Sequence, residues 1–198
     1  MEAQNPIDEI QIRWFDHWLK DLDTGLLEEA SISLFEMGSN NWLKFDSLPT
    51  AETIYYLASD GLAGVREDSG MLWRYEDVVD PGLQELIATN PDTVITEFDN
   101  HTDILVHDPW RPVPALGGHA IFPSGSFERS HLDCRLDVIT YTSRPLLSDL
   151  HLIGAIILEV YCRTESPSFD LCAILSTVSP EDTVHNFTQG YTLSLIHI

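Results

Sequence analysis

The chain has 198 residues, of which 43% are hydrophobic and 10% aromatic, so it is long enough for one domain with an apolar core. Ten basic side chains stand against 32 acidic ones, which gives a net charge of −22. Such a charge repels phosphate backbones and anionic lipids, and we therefore expect neither a nucleic acid nor a membrane as a partner. The aromatic content argues against a disordered chain in spite of the charge.

Three cysteines, Cys134, Cys162 and Cys172, do not form the pattern of a disulfide framework or a zinc site. We expect free, mostly buried thiols in a reducing compartment. The N-terminal residues have neither the basic nor the apolar stretch of a signal peptide, and the longest apolar stretch, residues 150–162, is too short to cross a bilayer. These observations favour a cytoplasmic protein.

The first predicted element is a helix that begins after Asn5, a capping residue, with Pro6 at its first turn. Gly25 is the expected stop. Apolar residues recur at helical spacing at Ile7, Ile10, Trp14, Phe15, Trp18 and Leu19. Two interpretations are open for this stripe: it packs against the domain that follows, or it belongs to a domain whose other parts are missing.

After Gly25 the pattern changes to short strands separated by Gly, Pro, Asn and Asp, which is typical of a β-sandwich or barrel. Strands are predicted at residues 31–37, 53–58, 71–75, 103–107, 138–142, 150–162 and 169–178. Residues 81–89 form the exception, because their apolar positions predict a short helix. Residues 150–162 alternate over a long stretch, which predicts a central strand with one buried face.

Catalytic motifs are missing from the sequence. The stretch Ser124-Gly125-Ser126 has the wrong spacing for a nucleophile elbow, and no phosphate-binding or zinc-protease motif occurs. Acidic stretches at residues 21–25 and 99–103 offer oxygen ligands, but neither completes a calcium loop, and a helix end and a solvated turn are the preferred interpretations. We expect no catalytic residue, metal or cofactor in this chain.

Six motifs follow one another along the chain: Arg13-Trp14-Phe15-Asp16, Phe35-Glu36-Met37-Gly38, Tyr55-Tyr56-Leu57, Asp108-Pro109 with Pro112-Val113-Pro114, Gly117-Gly118, and Arg135-Leu136-Asp137-Val138. In this order they resemble the C-terminal part of the CocE/NonD hydrolases, which include cocaine esterase, glutaryl-7-aminocephalosporanic acid acylases and Xaa-Pro dipeptidyl-peptidases. The resemblance runs from about Ile10 to Thr192. Arg111 stands where the family usually has Asp.

The resemblance implies a mainly β fold, a jelly-roll (galactose-binding-like) β-sandwich that is incomplete at its C-terminus and preceded by one helix. Residues 1–25 would be the terminal helix of a missing α/β-hydrolase domain, and residues 26–192 the truncated jelly roll. Residues 193–198 break the family pattern and read as the translation of a transposase sequencing adapter, so we expect an artificial tail there.

The resemblance also implies a function. The family's catalytic Ser, Asp and His lie before the Arg-Trp-Phe-Asp helix, so this chain alone should be inactive. Its expected partners are its own α/β-hydrolase domain and, in the parent enzyme, a small-molecule or peptide acyl substrate: an ester, an amide or an Xaa-Pro peptide. The loop after the paired glycines would help to wall the acyl pocket, which makes substrate-pocket candidates of Gly117, Gly118, His119, Ile121 and Phe122.

Alternatives remain open for the loop and for the whole chain. The loop could be an ordinary turn at the rim of the sandwich, with Phe122 in the core. The chain could instead be a carbohydrate-binding module, with Trp73, Tyr75 and Trp110 as candidate exposed aromatics, or an interaction domain without a ligand.

Overall fold

The computed structural model describes residues 5–66, 68–74, 102–118 and 122–195. The chain divides into two compact units, one formed by Met1–Glu52 with His151–Ile156 and the other by Thr53–Leu150 with Ile157–Ile198. In the part of the chain that the structure describes, no helix is both long and apolar enough to cross a membrane. The predicted helix at residues 81–89 and Tyr75 lie outside the described residues.

Helix α1 (Ile7–Lys20) occupies the predicted place but ends earlier than expected. It begins after Pro6 without a side-chain cap, and the Ile7 N–H donates to the carbonyl of Asn5 at 2.8 Å. At its C-terminus, Asp21 adopts the left-handed conformation, and its N–H donates to the Asp16 carbonyl. The prediction that Gly25 stops the helix is therefore wrong, because Asp tolerates this conformation almost as Asn does.

Gly25 instead opens a short 3-10 turn at Leu26–Glu28, where its φ of 67° suits a residue without Cβ. The Gly25 N–H donates to the Asp23 carboxylate at 3.2 Å. Arg13 on α1 then forms two parallel hydrogen bonds to Glu29, at 2.8 Å and 2.7 Å. This fork fixes the helix to the segment that leads into the first strand.

Strands β1 (Ile32–Glu36) and β2 (Asn41–Phe45) form an antiparallel hairpin in the first unit. The prediction of a strand at residues 31–37 is confirmed, whereas β2 was not expected. Phe35 and Trp42 face each other across the hairpin with their ring centroids 5.5 Å apart, nearly edge to face. Such aromatic cross-strand pairs stabilise a hairpin, here one that pairs with no third strand among the described residues.

The second unit contains a three-stranded sheet in the order β3 (Tyr55–Ala58), β4 (Met71–Arg74), β5 (Thr142–Ser143). Strands β3 and β4 are antiparallel, and β5 runs parallel to β4. Of the strand predicted at residues 138–142, only Thr142 is in a strand; residues 138–141 are irregular, so that prediction is largely wrong.

A two-stranded hairpin of β6 (Ser168–Val178) and β7 (Val184–Leu195) follows, with the short helix α2 (Ser130–Asp133) before it in the chain. The prediction of a strand at residues 169–178 is confirmed. Strand β7 was not expected. The register shifts once, because Leu175 pairs with Thr188 while Ser176 pairs with Asn186. Phe187 is therefore the extra residue of a β-bulge.

Two predicted strands, at residues 103–107 and 150–162, are irregular in the structure. Asp103 turns its side chain towards polar donors of other segments, as described below. Residues 150–162 carry exposed apolar side chains, including Leu152, Ile157 and Tyr161. Alternation alone does not make a strand, because a ladder needs a neighbouring strand to accept and donate its hydrogen bonds, and the described residues supply none here.

The fold-class prediction is confirmed: the described residues are mainly β, with open sheets and one long helix at the N-terminal end, in agreement with an incomplete β-sandwich. Its apolar core is small. Among the described residues, the buried apolar ones are Ala63, Trp73 and Leu132. The prediction of mostly buried thiols is wrong, since Cys134, Cys162 and Cys172 are all exposed.

Candidate functional site

Two buried glycines, Gly117 and Gly118, form the base of the predicted pocket loop. The Gly118 N–H donates to the Gly125 carbonyl at 2.8 Å, and the Gly125 N–H donates to the Gly118 carbonyl at 3.0 Å. Both have positive φ, 62° and 85°. A Cβ at Gly117 would overlap the Gly125 carbonyl, and one at Gly118 would lie 2.7 Å from Cδ of Gln189. These positions therefore require glycine.

Phe122, which lies between Gly118 and Gly125 in the sequence, is 98% exposed. The alternative that it belongs to the core is therefore wrong for the described chain. A large apolar side chain presented to solvent next to a tightly held base is available for contact with a ligand or another domain. His119 and Ile121, the other two predicted pocket residues, lie outside the described residues.

Asn186 on β7 holds the two ends of this loop. Its side-chain oxygen accepts from the Phe127 N–H at 2.7 Å, its side-chain nitrogen donates to the Leu116 carbonyl at 3.1 Å, and only 1% of the residue is exposed. The sequence analysis missed Asn186. The available signal was an amide residue between the apolar Val184 and Phe187.

Helix α2 is fixed to the start of β7 close to the same loop. The Arg129 N–H donates to the Val184 carbonyl at 2.8 Å, and the Val184 N–H donates to the hydroxyl of Ser130 at 2.9 Å. The buried Arg129 side chain donates to Asp133 at 3.2 Å. The residues that follow Phe127 therefore have little freedom to move away from β7.

Arg135 of the Arg-x-Asp-Val motif contacts the Asp-Pro loop at Arg111, 24 residues earlier in the chain. Its guanidinium donates to the Arg111 backbone carbonyl and forms two parallel hydrogen bonds to Asp137, at 2.7 Å and 2.6 Å. Those bonds from Arg135 lower the pKa of the Asp137 carboxyl. The turn that Arg135 holds presents Trp110, which is 91% exposed.

The Asp103 carboxylate accepts three hydrogen bonds from two other segments of the second unit, residues 59–63 and Tyr141. Its carboxylate accepts from the Ser59 hydroxyl at 2.7 Å, the Ala63 N–H at 2.8 Å and the Tyr141 hydroxyl at 2.6 Å. Burial, and then the hydrogen bond to Asp103, raise the pKa of the Tyr141 phenol. The shared carboxylate therefore joins these segments to each other.

The arrangement closest to a catalytic triad, at Ser39, Glu36 and His151, has the wrong connectivity. The Ser39 hydroxyl donates to the Glu36 carboxylate, which also lies 2.6 Å from Nδ1 of His151. These bonds, from Ser39 first and then from His151, lower the pKa of Glu36. A nucleophilic serine needs the histidine itself as its base, and here the carboxylate stands between the two.

One small cavity lies in the second unit. A cavity of about 50 Å³, lined among others by Ala63, Arg66 and Arg135, has room for a water molecule or two, far below the several hundred Å³ of a ligand site. Within the same residues, no group of three His, Cys, Asp or Glu side chains could hold a metal ion.

Two of the three aromatic residues named as candidates for a carbohydrate-binding platform, Trp73 and Trp110, are among the described residues. Trp73 is only 7% exposed, and its ring stacks on Tyr56 with centroids 4.9 Å apart. Tyr75 lies outside the described residues, which leaves Trp110 as the exposed member of the three.

Helix α1 exposes its aromatic stripe in the first unit. None of its residues is buried, and Trp14, Phe15 and Trp18 contact one another, with Trp14 and Phe15 edge to face at 5.2 Å. An amphipathic helix normally hides such a stripe against a partner.

The sequence profile of the X-Pro dipeptidyl-peptidase C-terminal non-catalytic domain matches residues 25–195. The chain belongs to this family. Its range includes the glycine loop, Asn186 and both strands of the last hairpin. The family description agrees with the resemblance inferred from the sequence motifs, and it assigns to the domain no catalytic role.

Curated relatives are much longer than this chain. A Mycobacterium bovis protein provisionally named a serine esterase is 28% identical over 188 residues, which are 94% of this chain and 26% of that protein. The cocaine esterase of a Rhodococcus strain is 25% identical over 174 residues, 85% of this chain and 27% of the esterase. The chain thus spans about a quarter of the relatives that it matches. No solved structure matches it.

Proposed function

We propose that this chain is the accessory jelly-roll domain of a serine hydrolase that cleaves an ester, an amide or an Xaa-Pro peptide through an acyl-enzyme. The observation that carries the proposal is the match of residues 25–195 to a non-catalytic domain, within relatives named as esterases that are about four times longer. The catalytic serine, histidine and aspartate belong to the α/β-hydrolase domain of the same polypeptide.

Helix α1 supports the proposed partner. Its exposed aromatic cluster offers Trp14, Phe15 and Trp18 to a neighbouring surface, and aromatic residues of this kind dominate the energy of domain and protein interfaces. We assign the α/β-hydrolase domain as the surface that covers them. A cytoplasmic parent enzyme is part of this proposal, and the three free, exposed cysteines support it because thiols persist in a reducing compartment.

The glycine loop supports the proposed role in substrate binding. Gly117 and Gly118 are fixed by backbone hydrogen bonds to Gly125, while Phe122 points into solvent with almost all of its surface. A rigid base with a projecting apolar ring is suited to close one side of an acyl pocket that is built mainly by another domain.

The first experiment tests the hydrolase itself. The full-length product of the gene is assayed on p-nitrophenyl esters, on an amide and on an Xaa-Pro dipeptide anilide, beside the 198-residue chain. The full-length protein should hydrolyse at least one of them and be inactivated by a serine-directed phosphonate, whereas the chain alone should be inactive. Turnover by the chain alone, or no turnover of any substrate by the full-length protein, would contradict the proposal.

The second experiment tests the pocket wall by comparing Phe122→Ala with Trp110→Ala in the full-length enzyme. Both side chains are more than nine-tenths exposed, so neither change should affect folding. Loss of a ring that contacts the acyl group should reduce kcat/KM for aromatic acyl esters by about tenfold relative to acetyl esters. Trp110→Ala should leave this ratio unchanged. If the ratio of kcat/KM for aromatic acyl esters to that for acetyl esters is the same in the wild type and both variants, the role of Phe122 is refuted.

A further inference from the structure

Asn186 is the most deeply buried side chain among the described residues, and both ends of its amide are used. The side-chain amide accepts from the N–H of Phe127 and donates to the carbonyl of Leu116, the residues on either side of the glycine loop. In addition, the backbone N–H of Asn186 donates to the Phe127 carbonyl at 3.3 Å. A single residue of β7 therefore sets the separation of the loop's two ends.

The β-bulge at Phe187 brings a second side chain of β7 to the same loop. Residues three apart on a regular strand lie on opposite faces, since the side-chain period is two. The extra residue at Phe187 shifts this alternation by one, so that Asn186 and Gln189 lie towards the same side. In agreement, the Gln189 amide lies against the backbone of Gly118, where an added Cβ would be 2.7 Å from its Cδ.

We infer that Asn186, together with the bulge at Phe187, positions the glycine loop, and that Asn186 thereby acts as a positioning residue for the acyl pocket of the parent hydrolase. The second part of this inference rests on the proposed function. Asn186 itself touches no substrate; it fixes the backbone from which Phe122 projects. Loss of its two side-chain hydrogen bonds frees Leu116 and Phe127 to separate, which moves the pocket wall without removing any part of it.

Hydrogen exchange of the full-length protein tests the structural part of the inference. Asn186→Leu removes both side-chain hydrogen bonds and keeps the branching at Cγ, and Asn41→Leu makes the same chemical change at an exposed position of β2. The backbone amides of Phe127, Gly118 and Gly125 should exchange at least about tenfold faster in Asn186→Leu than in the wild type. In Asn41→Leu their exchange rates should equal those of the wild type. Wild-type exchange at these amides in a folded Asn186→Leu protein would overturn the inference.

A second variant covers the case in which Asn186→Leu does not fold. Asn186→Asp keeps the oxygen that accepts from Phe127 but loses the donor to Leu116. The Phe127 amide should stay protected, while the Gly118 and Gly125 amides should exchange faster, because one end of the loop is released. Unchanged exchange at both glycines would overturn the inference in this variant as well.

Kinetics of the full-length enzyme test the functional part. A displaced wall should raise KM for aromatic acyl esters by about tenfold in Asn186→Leu, with kcat within about threefold of wild type. A domain that was merely less stable would lower the active fraction and therefore kcat, and a fall in kcat at unchanged KM would overturn the positioning role. If the wild-type enzyme hydrolyses nothing, the proposed function fails, while the exchange experiment still decides whether Asn186 positions the loop.

Discussion

Single polar side chains connect parts of this chain that are far apart in sequence. Asp103 receives hydrogen bonds from residues 38 to 44 positions away, and Asn186 forms bonds across 59 and 70 positions. The apolar core among the described residues is small, so these polar contacts carry a larger share of the long-range structure than they would in a domain with a large core.

Asp103→Ala should destabilise the protein by about 3 kcal/mol, because it leaves the Ser59 and Tyr141 hydroxyls and the Ala63 N–H without their acceptor. Tyr141→Phe removes one of the three bonds and should cost about 1 kcal/mol. Urea unfolding of both variants and of the double variant gives their coupling energy. The two costs should not add, and simple additivity would mean that the hydrogen bond contributes nothing.

Tyr141 should also make stability fall at alkaline pH. Burial and the bond to Asp103 raise the phenol's pKa in the folded state above the ordinary value of about 10. Below that ordinary value both states keep the proton and the contribution is complete; above it the unfolded state alone loses the proton, and stability falls with rising pH. Urea midpoints measured between about pH 9 and pH 11 should therefore decline. Tyr141→Phe should reduce this decline. If the urea midpoints of the wild type and the variant depend on pH in the same way, the decline does not come from Tyr141.

At the scale of the elements, strands with branched or aromatic residues in alternation were predictable. Strands β1, β3, β4 and β6 lie where the sequence predicts them. Strand β7 was missed because its Asn, Thr, Gln and Gly residues have a composition typical of loops, and a bulge interrupts its alternation. Residues 150–162 show the opposite error, because alternation predicted a strand for which the described residues offer no neighbour.

Some residues of the candidate site could be predicted because their signal is local in the sequence. The paired glycines form a motif in the sequence, and Phe122 follows them at short range. Asn186 could not be found in this way, because its partners Leu116 and Phe127 meet it only after β7 has folded against the loop. The contact of Arg135 with the carbonyl of Arg111 is likewise not predicted by any local sequence pattern.

Gly70 should be essential to the contact between the turn before β4 and the segment before β5. A Cβ on Gly70 would overlap the Thr140 carbonyl, and the Thr142 N–H donates to the Gly70 carbonyl at 3.1 Å. Gly70→Ala should therefore destabilise the protein by about 3 kcal/mol.

Gly190 on β7 provides the matched control, because an added Cβ there meets nothing within 4 Å. Gly190→Ala should be neutral or stabilise the protein by about 0.5 kcal/mol, since it restricts the unfolded chain. Thermal unfolding of the two variants checks the comparison. Equal effects of the two changes would show that the close approach at Gly70 does not limit the packing.

At the scale of the whole molecule, an exposed apolar surface coexists with a high negative charge. Trp14 and Trp18 on α1, together with the apolar side chains of residues 150–162, are exposed in the chain as described. A net charge of −22 opposes self-association through long-range repulsion. It does not remove the apolar surface, which still favours contact with a partner that is less acidic.

The proposed covering of α1 by an α/β-hydrolase domain is tested by hydroxyl-radical footprinting of the full-length protein. Trp14 is 47% exposed and Trp18 is 55% exposed in the chain as described, so an uncovered helix would be oxidised at roughly half the rate of the unfolded protein. A helix packed on the catalytic domain should show almost no oxidation at either ring. Half-maximal oxidation of both tryptophans in an active enzyme would contradict the docking role. In that case the aromatic stripe would have to be covered by something other than the catalytic domain, because a helix of 14 residues is only marginally stable when its apolar face is left in water.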